Sequence, residues 1–412
     1  MAQPVLKSIH PVNLLSFGPK TPPIQLRQLN ILIGTNGSGK SNFIEILRLI
    51  HFLPDKDPWS SVLATGGAGE WIWKGAASKN SQCSVNATLS HGKFPSGPAG
   101  EKTEYLNFSM DLEKYETSFR VKRESIGTCT HDGSIDTLSS RFERSGSQGM
   151  VHLRMARALE QPVPFDLNLD RSILSQLASP TVQKSGIGRD LPELFEIAEF
   201  FENFDFHQDW DFGADCPPRD PQLVGQSVTR LDEDGFNLAH MLAYYRDDHK
   251  PVFERITELT KRFYEPVKSV EVRLISTHLQ IAIEEDGGFS TPAYRLSDGM
   301  LRWLAILAIL LNPTPAPVTC IDEPELGLHP DIIPTLADLL REASARTQLI
   351  VTTHSPALVD AFSDDPESIS VSEKVEGSTA IRRLSKPDLA VWLKDYSLGN
   401  LWTSGEIGGN RW

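Results

Sequence analysis

The sequence predicts an α/β protein with a mainly parallel sheet, an antiparallel β part and an inserted helical lobe. Three observations lead there. After Pro266, apolar strand-like runs alternate with helical ones, the pattern of β-α-β units. Between Lys79 and Lys122, stretches alternate apolar and polar residues as half-buried antiparallel strands do. In the middle, Leu191–Phe204 places Leu194, Ile197, Ala198 and Phe201 on one helical face and Glu193, Glu196, Glu199 and Glu202 on the other.

Taken in order, Leu26–Ile33 is an apolar strand ending at Gly34, and a helix from Ser41 to about His51 follows. Cys83–Leu89 and Tyr105–Leu112 are antiparallel strands, with Gly92–Lys102 a turn or flexible loop. Gly127–Gly149, rich in Ser, Gly and Thr, is expected to be mobile. The acidic run from Glu193 to Asp215 holds no Lys or Arg and reads as a solvated helix face rather than a metal site. A second helical stretch covers Asn237–Phe263. Strands Val267–Leu274 and Leu279–Glu284 come next, then a helix over Leu301–Leu311. The strand Val318–Ile321, a helix over Asp331–Ala345 and the strand Gln348–Thr352 complete the alternation. The resulting division is an N-terminal lobe over residues 1–160, a helical lobe over 161–265 and a C-terminal lobe over 266–412.

Composition bounds the function classes. The chain has 412 residues, 40% hydrophobic and 23% charged, as ordinary globular proteins have. Its 54 acidic and 40 basic residues give a formal charge of -14, which argues against a surface coated for nucleic acid. Cys83, Cys129, Cys216 and Cys320 are scattered, without metal-ligand spacing, and read as reduced thiols in a cytoplasmic protein. The start lacks a secretory pattern. The longest apolar run, Trp303–Leu311, falls well short of the ~20 residues that span a bilayer.

Four short motifs carry chemistry. Gly34-Thr35-Asn36-Gly37-Ser38-Gly39-Lys40-Ser41, followed by Asn42, is a complete phosphate-loop pattern between a strand and a helix. Glycines let successive N–H groups and the helix N-terminus face a phosphate. Lys40 would reach the terminal phosphates and the Ser41 hydroxyl would ligate Mg²⁺. Val318-Thr-Cys-Ile-Asp322-Glu323 is an apolar strand ending in two carboxylates. That arrangement suits Asp322 in the Mg²⁺ shell and Glu323 polarising the attacking water. His354, in Thr352-Thr353-His354-Ser355-Pro356, ends the next strand, where a neutral imidazole can donate to a γ-phosphate. Leu296-Ser297-Asp298-Gly299-Met300 opens the apolar helix. It is a helix N-cap and, equally, an exposed helix N-terminus for a phosphate.

In this order the motifs resemble the Walker A, signature, Walker B and histidine-switch elements of the ATP-binding cassette superfamily. The likeness is nearest to soluble RecF/SMC-related ATPases, and to bacterial "AAA family" ATPases akin to the heads of overcoming-lysogenisation-defect nucleases. Ile321-Asp-Glu-Pro-Glu-Leu-Gly-Leu-His-Pro330, Ser41-Asn42-Phe43 and Asn13-Leu-Leu-Ser-Phe-Gly18 carry it. The resemblance implies ATP and Mg²⁺ as cofactors and an ATP-dependent homodimer. In that dimer Ser297, Asp298 and Gly299 would contact the ATP of the other subunit, and Glu325–His329 would cross the interface. Asp298 and Met300 depart from the transporter pattern, and an anionic Asp298 near phosphates could slow turnover. The glutamine that usually ligates Mg²⁺ is assigned to Gln176, with Gln82 and Gln161 as alternatives.

Three machines use such heads. A transporter motor is disfavoured by the long separation of Lys40 from Asp322 and by the absence of a membrane segment. A RecF-like DNA clamp fits the size; Arg120, Lys122, Arg123, Arg141, Arg144, Arg154 and Arg157 form either a mixed surface or a DNA-facing stripe. A metal-dependent Toprim nuclease domain does not fit in the stretch after His354. The preferred expectation is therefore a sensor or scaffold ATPase, in an antiphage pair, gating a separate effector such as a Toprim-like nuclease. The tryptophans Trp71, Trp73, Trp402 and Trp412 are expected to be packed.

Overall fold

A computed structural model describes residues 5–75, 81–90, 105–129, 135–151, 163–179, 192–208, 211–225 and 228–409, with the pairs 154–155, 158–159 and 182–183. The strand β1 (Leu6–Val12) precedes β2 (Leu29–Ile33), which feeds the phosphate loop and helix α1 (Lys40–Phe52). Strands β3 (Gln82–Ser90), β4 (Tyr105–Tyr115), β5 (Ser118–Cys129), β6 (Ile135–Ser145), β7 (Gln148–Val151) and β8 (Val163–Asp166) follow. The middle holds α2 (Pro192–Glu202), β9 (Phe204–His207), α3 (Leu238–Asp248) and α4 (Lys250–Phe263). The last third runs β10 (Val267–Ile275), β11 (His278–Glu285), α5 (Asp298–Leu310), β12 (Val318–Asp322), α6 (Ile333–Ala343), β13 (Gln348–Thr352), β14 (Ile369–Val375), β15 (Ser378–Arg383) and α7 (Leu398–Thr403).

The central sheet has the order β9-β12-β13-β2-β14-β15 and is parallel except for the β14–β15 hairpin. Its inner strands β2, β12 and β13 are buried on both faces, as parallel strands covered by helices are. Alternate side chains feed two cores. Ile31, Ile33, Ile321, Leu349 and Val351 pack with α5 on one side; Leu32, Cys320 and Ile350 pack with α1 on the other. Apart from its first two residues, the whole of α5 is buried, which is why it reads as apolar all round. Trp303 is fully buried in its middle, stacked 5.8 Å from Phe263.

The larger antiparallel sheet is ordered β8-β7-β6-β5-β4-β3-β1, edged by the short strand Ile24–Gln25, while β10 and β11 pair antiparallel in a separate sheet and do not join the parallel one. Apart from residues 130–134, which lie outside the described residues, the Ser/Gly/Thr-rich stretch expected to be mobile forms strands and a turn: β5 pairs with β6, and Ile126 and Phe142 face each other in the core. Arg144 is also drawn inside, where it pairs with Glu124. The segment Gly92–Lys102 lies outside the described residues.

Residues 161–265 are not helix alone. Their strand β9 joins the parallel sheet beside β12, and α3 and α4 pack in the same core as α5. The helical stretch Asn237–Phe263 is two helices, broken at His249 where Pro251 opens the second. On α2, Leu194, Ile197, Ala198 and Phe201 are buried as the periodicity predicts, but Glu193 is buried too. Among the described residues, no helix is long and apolar enough to cross a membrane.

Candidate functional site

The phosphate loop is held from behind. At Gly34 (φ 150°) a Cβ would stand 2.3 Å from the Ser372 carbonyl oxygen, so only glycine lets β2 enter the loop here. Gly39 caps α1 in the left-handed region (φ 109°), and a Cβ there would meet the Thr379 hydroxyl at 2.2 Å. Thr379 Oγ1 and Ser372 Oγ, both from the β14–β15 hairpin, donate to the Ser38 carbonyl at 2.8 and 3.1 Å. The C-terminal tail adds a layer: Trp402 is buried, donates to Gly409 O, and Gly409 N donates to Glu373. Trp71 is packed as well and Trp73 is half-buried; Trp412 lies outside the described residues.

At the carboxyl edge of the parallel sheet, a cleft of 330 Å³ is lined by Asn36, Gly37, Gly39, Lys40, Ser41, Asn42, Asp322, Glu323 and His354. Three separate motifs thus meet in one cavity, at the strand ends where α/β sheets place ligands. Gly34, Thr35 and Ser38 form the rear of the loop. Lys40 is buried, and its Nζ donates to Gly34 O at 2.8 Å and Thr35 O at 3.3 Å. Burial lowers its pKa, while Glu323 and Asp322 pull it back up. Oxygen donors at Ser41 and Asp322 fit a hard cation such as Mg²⁺.

The two carboxylates are set by the neighbouring strand. Thr352 Oγ1 donates to Asp322 Oδ1, and Glu323 N donates to Thr352 O at 3.1 Å. Glu323 has a φ of 44°, unusual for a residue with a side chain. Its Oε1 lies 3.4 Å from His354 Nε2. Burial first and the Lys40 charge second hold the His354 pKa below its ordinary value, with Glu323 and Asp322 opposing. The imidazole is therefore neutral at pH 7 and keeps one N–H to donate.

Glu325, in the loop expected to cross an interface, faces inward. It accepts from the Thr353 hydroxyl and from His354 N at 3.1 Å, tying the loop base to the histidine. The loop tip is open, with Leu326 and His329 exposed.

The signature segment stands apart from this cleft. Ser297 caps α5 by accepting from Met300 N at 3.2 Å. Asp298 is exposed and ion-paired to Arg219, whose buried guanidinium also donates to the carbonyls of Phe212, Gly213, Ala293 and Leu296. The negative charge of Asp298 is thus paired with Arg219. Gly299 lies against the Glu325–His329 loop: a Cβ would come 2.8 Å from Gly327 O. Since α1 and α5 belong to opposite cores, they lie on opposite faces of one sheet.

Gln176 does not line the cleft. Its amide is consumed locally, accepting from Asn168 N at 2.8 Å and donating to the carbonyls of Asn168, Arg171 and Ser172. Gln82 is exposed beside Glu113, and Gln161 lies outside the described residues. A further glutamine, Gln208, also outside the cleft lining, follows the end of β9. His207 pairs with Ile321, so Gln208 follows beside Asp322, its Oε1 accepting from Arg48 at 2.7 Å. The signal was present as Phe204-Asp-Phe-His207-Gln208, an alternating strand, but it sat inside the acidic run read as helix.

Fold and cleft together define a P-loop protein with the fold of ABC/SMC-type heads. Solved structures share the fold. The SmcHead bound to the C-winged helix domain of ScpA matches with a TM-score of 0.54 at 16% identity, covering 94% of this chain and 100% of that one. The Smc head domain with an extended coiled coil from Pyrococcus furiosus, bound to the C-terminal domain of ScpA, matches at 0.51 and 14%, covering 95% and 99%. No curated protein matches the chain. The chain belongs to the family described as "AAA domain, putative AbiEii toxin, Type IV TA system", whose model matches residues 29–360.

Proposed function

We propose that this chain hydrolyses ATP with Mg²⁺ and closes as a homodimer around two ATP molecules, so gating a separate effector protein. One observation carries the reading: Lys40, Ser41, Asp322, Glu323 and His354, from three distant segments, line a single cleft. Ser41 and Asp322 would hold Mg²⁺, with Gln208 as the added candidate in place of Gln176. Bound there, the ion supplies charge neutralisation for the phosphates. Lys40 binds the β- and γ-phosphates, Glu323 takes the proton of the attacking water, and neutral His354 donates to the γ-phosphate. The signature Ser297-Asp298-Gly299, remote from its own cleft, would act on the partner's ATP.

Two observations support a second protein. The solved Smc heads carry a bound ScpA domain, and the family description names a TA system. An antiphage pair with a Toprim-like nuclease is the form we favour. A DNA clamp is the second reading; it rests on exposed Lys122 and Arg123 and loses Arg144, which is buried.

The test is the solution mass of Glu323→Gln with and without ATP and Mg²⁺, in the presence of cell lysate fractions. An ATP-dependent dimer retaining a second protein supports the gated complex; one retaining only DNA moves the reading to a clamp. A monomer under all conditions, unchanged by Ser297→Arg, overturns the sandwich.

A further inference from the structure

We propose that Thr352 is a positioning residue that sets both carboxylates of the cleft through its single hydroxyl group. The inference rests on reading that cleft as an ATPase site. Thr352 is the last residue of β13, fully buried, and lies directly across from Asp322 in the parallel register. A hydroxyl can donate one hydrogen bond while accepting others, and this one does both. It donates to Asp322 Oδ1 and accepts from Glu323 N at 3.2 Å. The carbonyl of the same residue takes that N–H at 3.1 Å, so one amide is clamped between two oxygens of Thr352.

The clamp matters because of where it acts. Glu323 is in the left-handed region at φ 44°, a conformation disfavoured for a residue with a Cβ. Such strain persists only where neighbours enforce it. A straight continuation of β12 would send the Glu323 side chain away from its present direction. The left-handed turn instead brings its carboxylate to 3.4 Å from His354 Nε2. The same hydroxyl fixes the Asp322 carboxylate by one oxygen. Thr352 does not line the cleft, so it would act through these two residues and not on the nucleotide.

The chemistry separates the hydroxyl from the methyl. Thr352→Val keeps shape and volume but removes the donor to Asp322 and the acceptor for Glu323 N. Loss of a group that orients a metal ligand lowers affinity or activity about 10–100-fold. For Thr352→Val we expect kcat to fall within about that range, while KM for ATP shifts less than about threefold. A second readout needs no turnover: ATP affinity by calorimetry, with Mg²⁺ and with EDTA. The EDTA value should be unchanged, and the gain conferred by Mg²⁺ should shrink about tenfold. Thr352→Ser, which keeps the hydroxyl, should restore kcat and the Mg²⁺ gain to near wild type. If Thr352→Val does not fold, Thr352→Ala carries the same expectation.

Wild-type kcat and Mg²⁺ gain in the Val variant would overturn the proposal. So would a Ser variant as impaired as the Val variant, since packing by the methyl group would then be the cause. A wild-type protein that binds ATP with an Mg²⁺-dependent gain but never hydrolyses it would overturn the ATPase reading instead. The binding comparison would still decide Thr352.

Discussion

Two pairs of ionisable side chains in this molecule, Glu124–Arg144 and Glu323–His354, are built on opposite principles. In the antiparallel sheet, Glu124 and Arg144 have no exposed side-chain surface. Every direction is answered: Glu124 accepts from Ser172 Oγ and Ile173 N, and Arg144 donates to the carbonyls of Gly146, Arg171 and Asn168. In the cleft, Glu323 and His354 are each about a third exposed, meet only at 3.4 Å, and ride on a strained backbone. The first pair is saturated and structural. The second is left with spare hydrogen-bonding capacity beside Lys40, which is what a site for chemistry requires.

That contrast can be broken experimentally, beginning with the largest effect. Glu323→Gln should lower kcat about 10²–10⁴-fold, the usual worth of a general base, with the protein still folded and ATP still bound. Steady-state phosphate release checks it; wild-type turnover would assign the base elsewhere. Arg144→Ala should do the reverse, destabilising the fold by about 3–5 kcal/mol by stranding the Glu124 charge. Urea midpoints measure that loss, while ATP affinity of the folded fraction should hold. Gly299→Ala pushes a methyl group toward Gly327 O and should cost about 1–3 kcal/mol of overpacking. Its signature is weaker ATP-dependent association in sedimentation, with nucleotide binding by the separate chain intact.

The smallest effect is a pH slope. His354 has a native pKa below its ordinary 6.5, from burial and from Lys40. The stability it contributes is complete above 6.5 and is lost as pH falls through the native pKa, because the unfolded chain takes up the proton first. The stability difference between wild type and His354→Asn should therefore shrink as pH falls below the ordinary 6.5. A difference that grows on acidification would mean that the histidine is charged in the native protein.

Legibility in the sequence followed the range of the forces. The phosphate loop could be read because its glycines answer local needs, at Gly34 and Gly39, for backbone room. The strands β12 and β13 could be read because burial on both faces leaves an unbroken apolar run. Helix α2 showed its period, but not that Glu193 would be buried. Gln208 was hidden because β9 is four residues long and its strand character comes from pairing with β12. Arg219 could not be foreseen as the partner of Asp298, since nothing local in the sequence marks a contact between residues so far apart. Arg144 read as a surface cation because composition cannot distinguish a basic residue facing water from one facing carbonyls.

The placement of α1 and α5 on opposite faces of the same sheet has a kinetic consequence. If hydrolysis needs the helix ends of both Lys40 and Ser297 at one phosphate, no amount of flexing within a single chain supplies the second. Turnover per molecule would then depend on how many molecules are present, rising with dilution reversed and vanishing in the limit of an isolated chain. Total activity would then rise faster than in proportion to concentration well below the dissociation constant of the pair.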